Sequence, residues 1–171
     1  VRPTTFFTGE GGIFAAQDAP LRIAVPARSD VQGAFDDQLV VLLREDWHVA
    51  GQPELRAGDL ISVDLAALLE SRVLPTVRIV FRPADRQAIQ QLAIGRDRML
   101  LNFSDNVVSR LVWVDRTDGG DWTNTPVSLP ANGEATIVSS DEHETAVLLS
   151  YQDFLTPDSC YVLDSATVTA P

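Results

Sequence analysis

The stretch that most constrains the fold comprises residues 92–115, LAIGRDRMLLNFSDNVVSRLVWVD, which contain a complete β-hairpin signal. Residues 99–103 form an apolar run, residues 104–106 favour a turn, and residues 107–114 return as a second apolar run. Two strands are only marginally stable in water, because an isolated hairpin cannot bury its apolar face. The hairpin therefore predicts a larger sheet, and further strands of the same kind elsewhere in the chain.

Weaker versions of this hairpin occur on both sides of it. Residues 39–46 (LVVLLRED) are followed by a return at residues 59–64 (DLISVD), and residues 146–153 (AVLLSYQD) by a return at residues 160–164 (CYVLD). The last version is the closer match, since it shares the paired leucines, an aromatic residue two positions on and an aspartate at each strand end. Three repeats can therefore be aligned.

The aligned strand-end aspartates give the length of the repeat. Asp46, Asp105 and Asp153 are separated by 59 and 48 residues, which is close to the roughly 40–50 residues of a four-stranded propeller blade. The longer first interval contains an excursion punctuated by Gly and Pro, HVAGQPELRAG at residues 48–58. The spacing predicts an array of propeller blades.

Shorter patterns complete the predicted array. Alternation of apolar and polar residues, or a position beside a turn signal, predicts strands at residues 4–8, 13–16, 21–25, 31–35, 76–81 and 135–139. Residues 65–72 (LAALLESR) predict a short helix, which Asp64 is placed to cap. Residues 86–94 fit a helix or a strand, and their position before the central hairpin favours a strand.

These patterns predict an all-β fold: an incomplete β-propeller of about three antiparallel four-stranded blades, with one short inserted helix near residues 65–72. The repeat units are expected at approximately residues 17–75, 76–128 and 129–171. A propeller closes only when enough blades fill the circle, commonly four to eight, so three blades leave an exposed blade face at each end. We expect such a face to be covered by further blades, by another copy of the chain or by aggregation.

Charge and composition exclude several function classes. The formal net charge is −11 and only 13 residues are Lys or Arg, so binding to nucleic acid or to an anionic membrane is not expected. No apolar run reaches the roughly 18 residues of a membrane helix. A start at Val1 rather than Met indicates a processed product or a piece of a longer chain. We expect a soluble protein that holds no cofactor and no metal, and the sequence does not identify its cellular compartment.

The single cysteine, Cys160, cannot form an internal disulfide or a cysteine-based metal site by itself. It lies inside the apolar run CYVLD. Because free cysteine in such a position usually behaves as a small hydrophobic side chain, Cys160 is predicted to be buried.

Two polar clusters imitate functional sites. Ser140, Asp141 and His143 include the residue types of a serine hydrolase, but close neighbours in one loop cannot form the hydrogen-bonded series of nucleophile, base and orienting acid. The aspartates of a second cluster, DRTDGGD, could coordinate calcium: Asp115, Asp118 and Asp121. The loop matches no complete calcium-binding pattern, and a Gly-Gly hairpin turn explains it better.

Three further sets of residues have both a functional and a structural interpretation. The aligned strand-end aspartates could line one rim and act as paired carboxylates of a glycosidase, or they could bond the amides of turns, which is favoured. Trp47, Trp113 and Trp122 could stack on a sugar or peptide ligand, but packing between blades is favoured. Arg110, a charge inside the central hairpin, faces the channel or pairs with an aspartate of a neighbouring blade.

Three stretches of this sequence, in this order, resemble the propeller of prolyl oligopeptidase family serine peptidases. The pattern of a strand, a Trp-containing turn, a Gly-bracketed excursion and a short helix is found at residues 39–69. RDRMLLNFSDNVVSRLVWVD at residues 96–115 and SYQDFLTPDSCYVLD at residues 150–164 resemble the later blades of that propeller. The resemblance covers nearly the whole chain, from about residue 4 to residue 164.

The resemblance implies a fragment of a two-domain enzyme. In that family, a seven-bladed propeller covers an α/β-hydrolase domain whose Ser, Asp and His cleave after proline. No catalytic residue carries over, since this sequence contains no Gly-x-Ser-x-Gly nucleophile motif. Its implied partners are the hydrolase domain of the parent chain and that enzyme's peptide substrate, while its substrate-binding residues stay unidentified.

Three functions are compatible with the sequence. The first is a non-catalytic propeller segment that restricts access to the active site of a prolyl oligopeptidase-like serine peptidase. The second is a stand-alone propeller-like module that binds other proteins, and the third is a propeller glycosidase that uses rim carboxylates. A hydrolase domain encoded directly downstream would separate the first from the others. In isolation, the fragment is expected to self-associate through its exposed blade faces.

Overall fold

The computed structural model describes residues 5–9, 12–16, 21–129, 133–155 and 157–164, the first two ranges by their backbone alone. Within these residues the chain forms fourteen β-strands and one α-helix. In chain order they are β1 (Thr5–Gly9), β2 (Gly12–Ala16), β3 (Leu21–Ile23), β4 (Ser29–Phe35), β5 (Gln38–Leu43), β6 (Leu60–Asp64), α1 (Leu65–Ser71), β7 (Val77–Phe81), β8 (Gln87–Ile94), β9 (Met99–Asp105), β10 (Val108–Arg116), β11 (Trp122–Val127), β12 (Glu134–Ser140), β13 (Ala146–Gln152) and β14 (Ser159–Asp164). No helix of the described part is long and apolar enough to cross a membrane.

The described strands form four antiparallel sheets, and each sheet is a meander of consecutive strands. The first contains β1-β2-β3, the second β4-β5-β6-β7, the third β8-β9-β10-β11 and the fourth β12-β13-β14. Successive meanders of about four strands are the units from which propellers are built. The predicted fold class, an all-β incomplete propeller with one short helix, is confirmed.

The three aligned repeats occupy equivalent places in these sheets. The apolar runs LVVLL, MLL and AVLL lie in β5, β9 and β13, the second strands of the second, third and fourth sheets. Their returns lie in β6, β10 and β14, the third strands of the same sheets. The segment before the central hairpin, which fitted a helix or a strand, is the strand β8, as predicted from its context.

The sheets are divided along the chain differently from the predicted repeat units. Strand β7, which would open the unit at residues 76–128, pairs with β6 and completes the second sheet. Strand β3, which would belong to the unit at residues 17–75, pairs with β2 in the first sheet. Both differences arise because the spacing of the strand-end aspartates gives the length of a repeat but not the residue at which it begins. Which strands share a sheet is decided by pairing across turns and loops.

The helix α1 has the predicted cap. Asp64 is extended at its N-cap, with φ −61° and ψ 110°, and its Oδ1 accepts a hydrogen bond of 2.8 Å from the backbone N–H of Ala67. The helix ends at Ser71, and its C-cap Arg72 has a left-handed backbone (φ 56°) and donates its N–H to the carbonyl of Leu68. Leu65 and Leu68 are buried in the hydrophobic core that also contains residues of β5 and β6.

The chain divides into two compact units, Val1–Arg82 and Pro83–Pro171, and each has its own core. In the first unit all six residues of β5 are buried, together with most of β6. In the second unit the core joins the third and fourth sheets, with Trp113, Leu149 and Tyr151 almost completely buried. In both units, the side chains of the middle strands β5 and β9 are thus largely buried.

The predicted burial of Cys160 is wrong, because its side chain is exposed. Strand β14 alternates: Leu163 faces the core and is buried, whereas Cys160 and Val162 face the opposite side of the sheet. The apolar run showed that the strand has a buried face, but the sequence did not show which positions lie on it.

Candidate functional site

The three strand-end aspartates act in loops and turns, as the favoured interpretation predicted. Oδ1 of Asp46 accepts the N–H of Ala57 at 2.9 Å, and Oδ1 of Asp153 accepts the N–H of Leu155 at 2.7 Å. Oδ1 of Asp105 accepts the side-chain amide of its neighbour in the turn, also at 2.9 Å. Each carboxylate is thus engaged locally, and the geometry gives no support to a glycosidase pair.

The cluster of Ser140, Asp141 and His143 forms a surface turn. Oδ1 of Asp141 accepts the backbone N–H of His143 at 2.8 Å, an arrangement that holds the turn. The imidazole of His143 is 82% exposed and lies 3.9 Å from the carboxylate of Glu142. The carboxylate of Asp141 therefore accepts a hydrogen bond from a backbone amide. It does not orient the imidazole of His143, which a catalytic triad would require.

The loop with the Gly-Gly signal is a hairpin turn between β10 and β11. The N–H of Gly120 donates to the carbonyl of Thr117, and the N–H of Thr117 donates to the carbonyl of Asp121, both at 2.8 Å. Asp115 forms a two-pronged ion pair with Arg98, whose Nε lies 2.6 Å from Oδ1. Within the described residues no three His, Cys, Asp or Glu side chains gather in a way that could hold a metal.

Two of the three tryptophans pack in the cores. Trp113 is almost completely buried in the core of the second unit, with the guanidinium of Arg98 5.1 Å from its ring centroid. Trp47 is half-buried against the core of the first unit and pairs its backbone with Leu55. These positions favour packing over ligand stacking. Arg110 is exposed opposite Phe103 on the β9–β10 hairpin, and whether it faces a channel stays a prediction.

An ion pair between the buried Asp59 and the partly exposed Arg82, which the sequence patterns did not indicate, fixes the excursion between β5 and β6. Both carboxylate oxygens of Asp59, a residue that is 1% exposed, accept hydrogen bonds from Arg82 at 2.6 and 2.8 Å. Arg82 also donates to the carbonyl of Glu54, and Asp59 accepts the N–H of Arg56. The hydrogen bond to Asp59 raises the pKa of Arg82, so its positive charge is secure.

A line of polar side chains joins the third and fourth sheets, and the sequence patterns did not indicate this contact either. The side-chain amide of Gln91 in β8 accepts the N–H of Ile137 at 2.8 Å and donates to its carbonyl at 3.2 Å. Asn102, which is buried, donates to the carbonyl of Ala135 at 2.8 Å. We call Gln91, Asn102 and their β12 partners the seam. It sets the position of β12 against the third sheet without relying on apolar packing alone.

The fourth sheet has one covered and one uncovered face. Val147, Leu149 and Tyr151 point toward the third sheet and are buried. The other side, which we call the open face, carries exposed or half-buried residues from all three strands: Thr136, Val138, Leu148, Ser150, Cys160 and Val162. Val138 is 55% and Val162 61% exposed. A partly apolar blade face that no other described residue covers agrees with the exposed end predicted for an incomplete array, and it is the main candidate contact surface.

Comparison with known proteins finds one family over most of the chain. Residues 31–170 match the family model described as "Prolyl oligopeptidase, N-terminal beta-propeller domain". An uncharacterized peptidase of Sinorhizobium fredii is 26% identical over 145 residues, which is 85% of this chain and 20% of that protein. An uncharacterized peptidase of Rickettsia prowazekii is also 26% identical, over 162 residues, covering 92% of this chain and 22% of that protein.

Solved structures show the same fold. A post-proline cleaving enzyme from Rickettsia typhi aligns with a TM-score of 0.76 and 24% identity, over 90% of this chain and 25% of that chain. Oligopeptidase B from Trypanosoma brucei aligns with a TM-score of 0.61 and 12% identity, over 91% and 22%. The chain thus spans between a fifth and a quarter of the length of these relatives.

Proposed function

The chain belongs to the prolyl oligopeptidase family, as part of its N-terminal β-propeller domain, and from this membership we propose that it is a non-catalytic segment that controls access to a serine peptidase active site. In the parent enzyme the propeller covers the active site and admits small proline-containing peptides. The observation that carries the proposal is the family match over residues 31–170. The described strands agree with it, because they form successive antiparallel meanders like the blades of a propeller.

The chemistry of the described residues supports a role without catalysis. The candidate nucleophile cluster is a surface turn, and the strand-end carboxylates hold loops. The peptide bond would instead be cleaved by a serine, histidine and aspartate of the hydrolase domain, which carries the reaction in this family. The propeller contributes by excluding large substrates, so its effect is on which peptides reach the serine.

The hydrogen bonds and packing that hold the third and fourth sheets together suit a domain that excludes large substrates by their size. A wall that rejects large substrates must not open easily, and the seam joins the third and fourth sheets by hydrogen bonds between side chains and backbone. Middle strands with largely buried side chains add packing to these bonds. Passage of a peptide would then depend on its width and on opening between domains.

Size selectivity of the full-length protein tests this function. The ratio kcat/KM is measured for a short peptide containing one proline and for the same sequence placed within a long unfolded protein. We expect the short peptide to be cleaved after proline and the long protein to be cleaved far more slowly. Equal kcat/KM for both substrates would contradict a gating role, and no cleavage after proline would contradict the assignment of the parent activity.

One observation favours a second role for the isolated chain, which is self-association. The open face presents Val138, Leu148 and Val162 to solvent on one sheet. A sheet face of this kind can pack against the equivalent face of a second copy. The stand-alone module that binds other proteins would use the same surface, and the reading frame downstream of residue 171 distinguishes it from a peptidase segment.

A further inference from the structure

The first strands of three sheets share a backbone irregularity. In each of β4, β8 and β12 the register with the second strand shifts by one residue, which leaves Gln32, Gln90 and Val138 without a directly paired residue. These β-bulges are 58 and 48 residues apart, nearly the spacing of the strand-end aspartates. The bulge is therefore part of the repeat, whereas the side chain at the bulge differs between sheets. Because bulges redirect side chains, each first strand presents its own residue at the same place.

The bulge in β8 leaves Gln90 accessible to a ligand. Its neighbours Ile89 and Gln91 are half-buried, whereas Gln90 itself is exposed. Within the described residues its side-chain amide has no hydrogen-bonding partner. Gln90 thus offers one free donor group and one free acceptor oxygen.

Strand β8 is an edge strand of the third sheet. The order β11-β10-β9-β8 leaves one side of its backbone without a neighbouring strand in the part of the chain that the structure describes. Natural edge strands commonly avoid further pairing through charged residues or proline, but β8 (QAIQQLAI) contains neither. The bulge bends β8 and so disfavours a long additional strand. An uncharged edge can nevertheless form hydrogen bonds with a short extended segment.

The neighbouring glutamine shows which ligand suits this side chain. The amide of Gln91 accepts the N–H of Ile137 at 2.8 Å and donates to the carbonyl of the same residue at 3.2 Å. One glutamine thus bonds both backbone groups of a residue in an extended strand. Such a contact does not depend on the side chain of the bonded residue, except that proline has no N–H to donate. Gln90 carries the same amide on the same strand and is exposed.

The first strands lie where the third and fourth sheets come together. Gln91 in β8 and Asn102 in β9 both donate to backbone carbonyls of β12, the first strand of the fourth sheet. The sheets of a propeller surround a central channel, and sheets arranged in this way approach one another most closely beside it. In the complete propeller, β8 is therefore expected along the channel.

We propose that Gln90 binds the backbone of an extended peptide substrate inside the propeller of the parent enzyme. Its Oε1 accepts the N–H and its Nε2 donates to the carbonyl of one peptide residue, which is any residue except proline. The inference rests on the function proposed above, and it adds attraction to exclusion: a peptide narrow enough to enter is held by a contact that its sequence hardly affects. The absence of charge on β8 suits peptides of varied composition.

Peptide length tests the contact in the full-length protein. The constants kcat and KM are measured for a tripeptide and for a peptide of a dozen residues that share the same proline site. Gln90→Ala should raise the KM of the long peptide about fivefold, the effect of losing a typical hydrogen bond, and should affect the tripeptide less. The change is expected in KM rather than in kcat, because Gln90 does not touch the reacting bond.

Thr125→Ala is the matched control for this measurement. Thr125 is exposed like Gln90 but lies on β11, the last strand of the same sheet, so its loss should leave the constants of both peptides at their wild-type values. If Gln90→Ala matches Thr125→Ala with the long peptide, the proposal is overturned. The bulge would then serve to protect the edge of the sheet.

A second measurement examines the hydrogen bond itself. The long peptide is prepared with a single backbone N-methyl group at each position in turn, because this change removes the N–H and keeps the side chain. In the wild type, N-methylation at the position bonded to Gln90 should raise KM, and in Gln90→Ala the same peptide should no longer differ from its unmethylated parent. If every position has the same effect in both proteins, no N–H is bonded by Gln90 and the proposal is wrong.

Failure of this contact and failure of the gating function give different results. If Gln90→Ala weakens the long peptide as expected, but a long unfolded protein is cleaved as fast as a short peptide, the contact stands and gating is wrong. If size selectivity is present but neither KM nor the N-methyl effect responds to Gln90→Ala, gating stands and the contact is absent.

Discussion

Gly133 and Tyr151 show how closely single residues fit between the third and fourth sheets. A Cβ atom added at Gly133 would lie 2.1 Å from the ring of Tyr151, which is 1% exposed and packs edge-on against Tyr161 with ring centroids 6.2 Å apart. A buried ring has little room to move away. Position 133 therefore requires glycine for steric reasons, because only a hydrogen atom fits next to the ring of Tyr151.

Gly133→Ala should destabilise the protein by about 1–3 kcal/mol, the usual cost of overpacking a filled core. Gly119→Ala is the matched control, since a Cβ there would meet only the hydroxyl of Thr117 at 3.7 Å. Urea unfolding followed by tryptophan fluorescence measures both. Equal stability of the two variants would contradict the packing described for Gly133.

Tyr151 predicts a loss of stability at alkaline pH. Burial raises the pKa of its phenol above the ordinary value of 10.0, and the hydrogen bond to Asp153 and its negative charge act in the same direction. The neutral phenol is therefore favoured in the folded state, and its contribution is fully present below pH 10.0 and is lost as the pH rises through the higher folded pKa.

Above pH 10.0, the free energy of unfolding of the wild type should fall more steeply than that of Tyr151→Phe, which has no proton to lose. Urea unfolding at a series of pH values from neutral to alkaline gives the two slopes. Parallel slopes would show that Tyr151 does not contribute to the alkaline transition.

Among the elements, β12 depends on side chains of the third sheet as much as on its own sheet. Gln91 bonds both the N–H and the carbonyl of Ile137, as a neighbouring strand would do with its backbone. The register of β12 shifts between Ile137 and Ser139, and that of β8 shifts between Ile89 and Gln91. These irregularities coincide with the seam, and bulges of this kind redirect side chains.

Gln91→Leu should cost about 1–3 kcal/mol, because it leaves the N–H and the carbonyl of Ile137 without partners in a partly buried position. Gln90→Leu is the control, since the side chain of Gln90 is exposed. Hydrogen exchange at the Ile137 amide should accelerate in the first variant and not in the second. Unchanged exchange at Ile137 would contradict the bond to Gln91.

The sequence predicted most of the strands, the hairpin turns and the capped helix, because these depend on neighbouring residues, but it did not predict the polar strand β11. It predicted neither the seam nor the ion pair of Asp59 and Arg82, since both join residues far apart in the chain. For the same reason, the sequence did not show that β7 pairs with β6. The prediction that Cys160 is buried was wrong, because an alternating pattern does not identify which face of the strand is covered. Local signals thus defined the elements, and long-range contacts decided how they are grouped.

At the scale of the whole molecule, the open face is the surface through which we expect the isolated chain to self-associate. Its valines are exposed, and within the described residues only the other face of the fourth sheet is covered, by the third sheet. The net charge of −11 opposes association, and the apolar face favours it. Screening by salt weakens the repulsion, so association should increase with ionic strength.

The isolated chain should therefore sediment as a dimer or larger species at micromolar concentration, and Val162→Asp should make it monomeric. Val73→Asp is the matched control, because Val73 has a similar exposure of 67% but lies in the other unit. In the associated wild type, Cys160 should react slowly with a thiol reagent. A well-folded wild-type monomer with a fast-reacting Cys160 would contradict association through the open face.

The loops between second and third strands also affect the order in which the sheets form. Strands β9 and β10 are joined by two residues, whereas β5 and β6 are joined by 16 residues, which include the excursion. Closing the longer loop costs on the order of 2 kcal/mol more in chain entropy. The central hairpin should therefore nucleate folding, with β5 and β6 pairing later, once Asp59 and Arg82 have fastened the excursion.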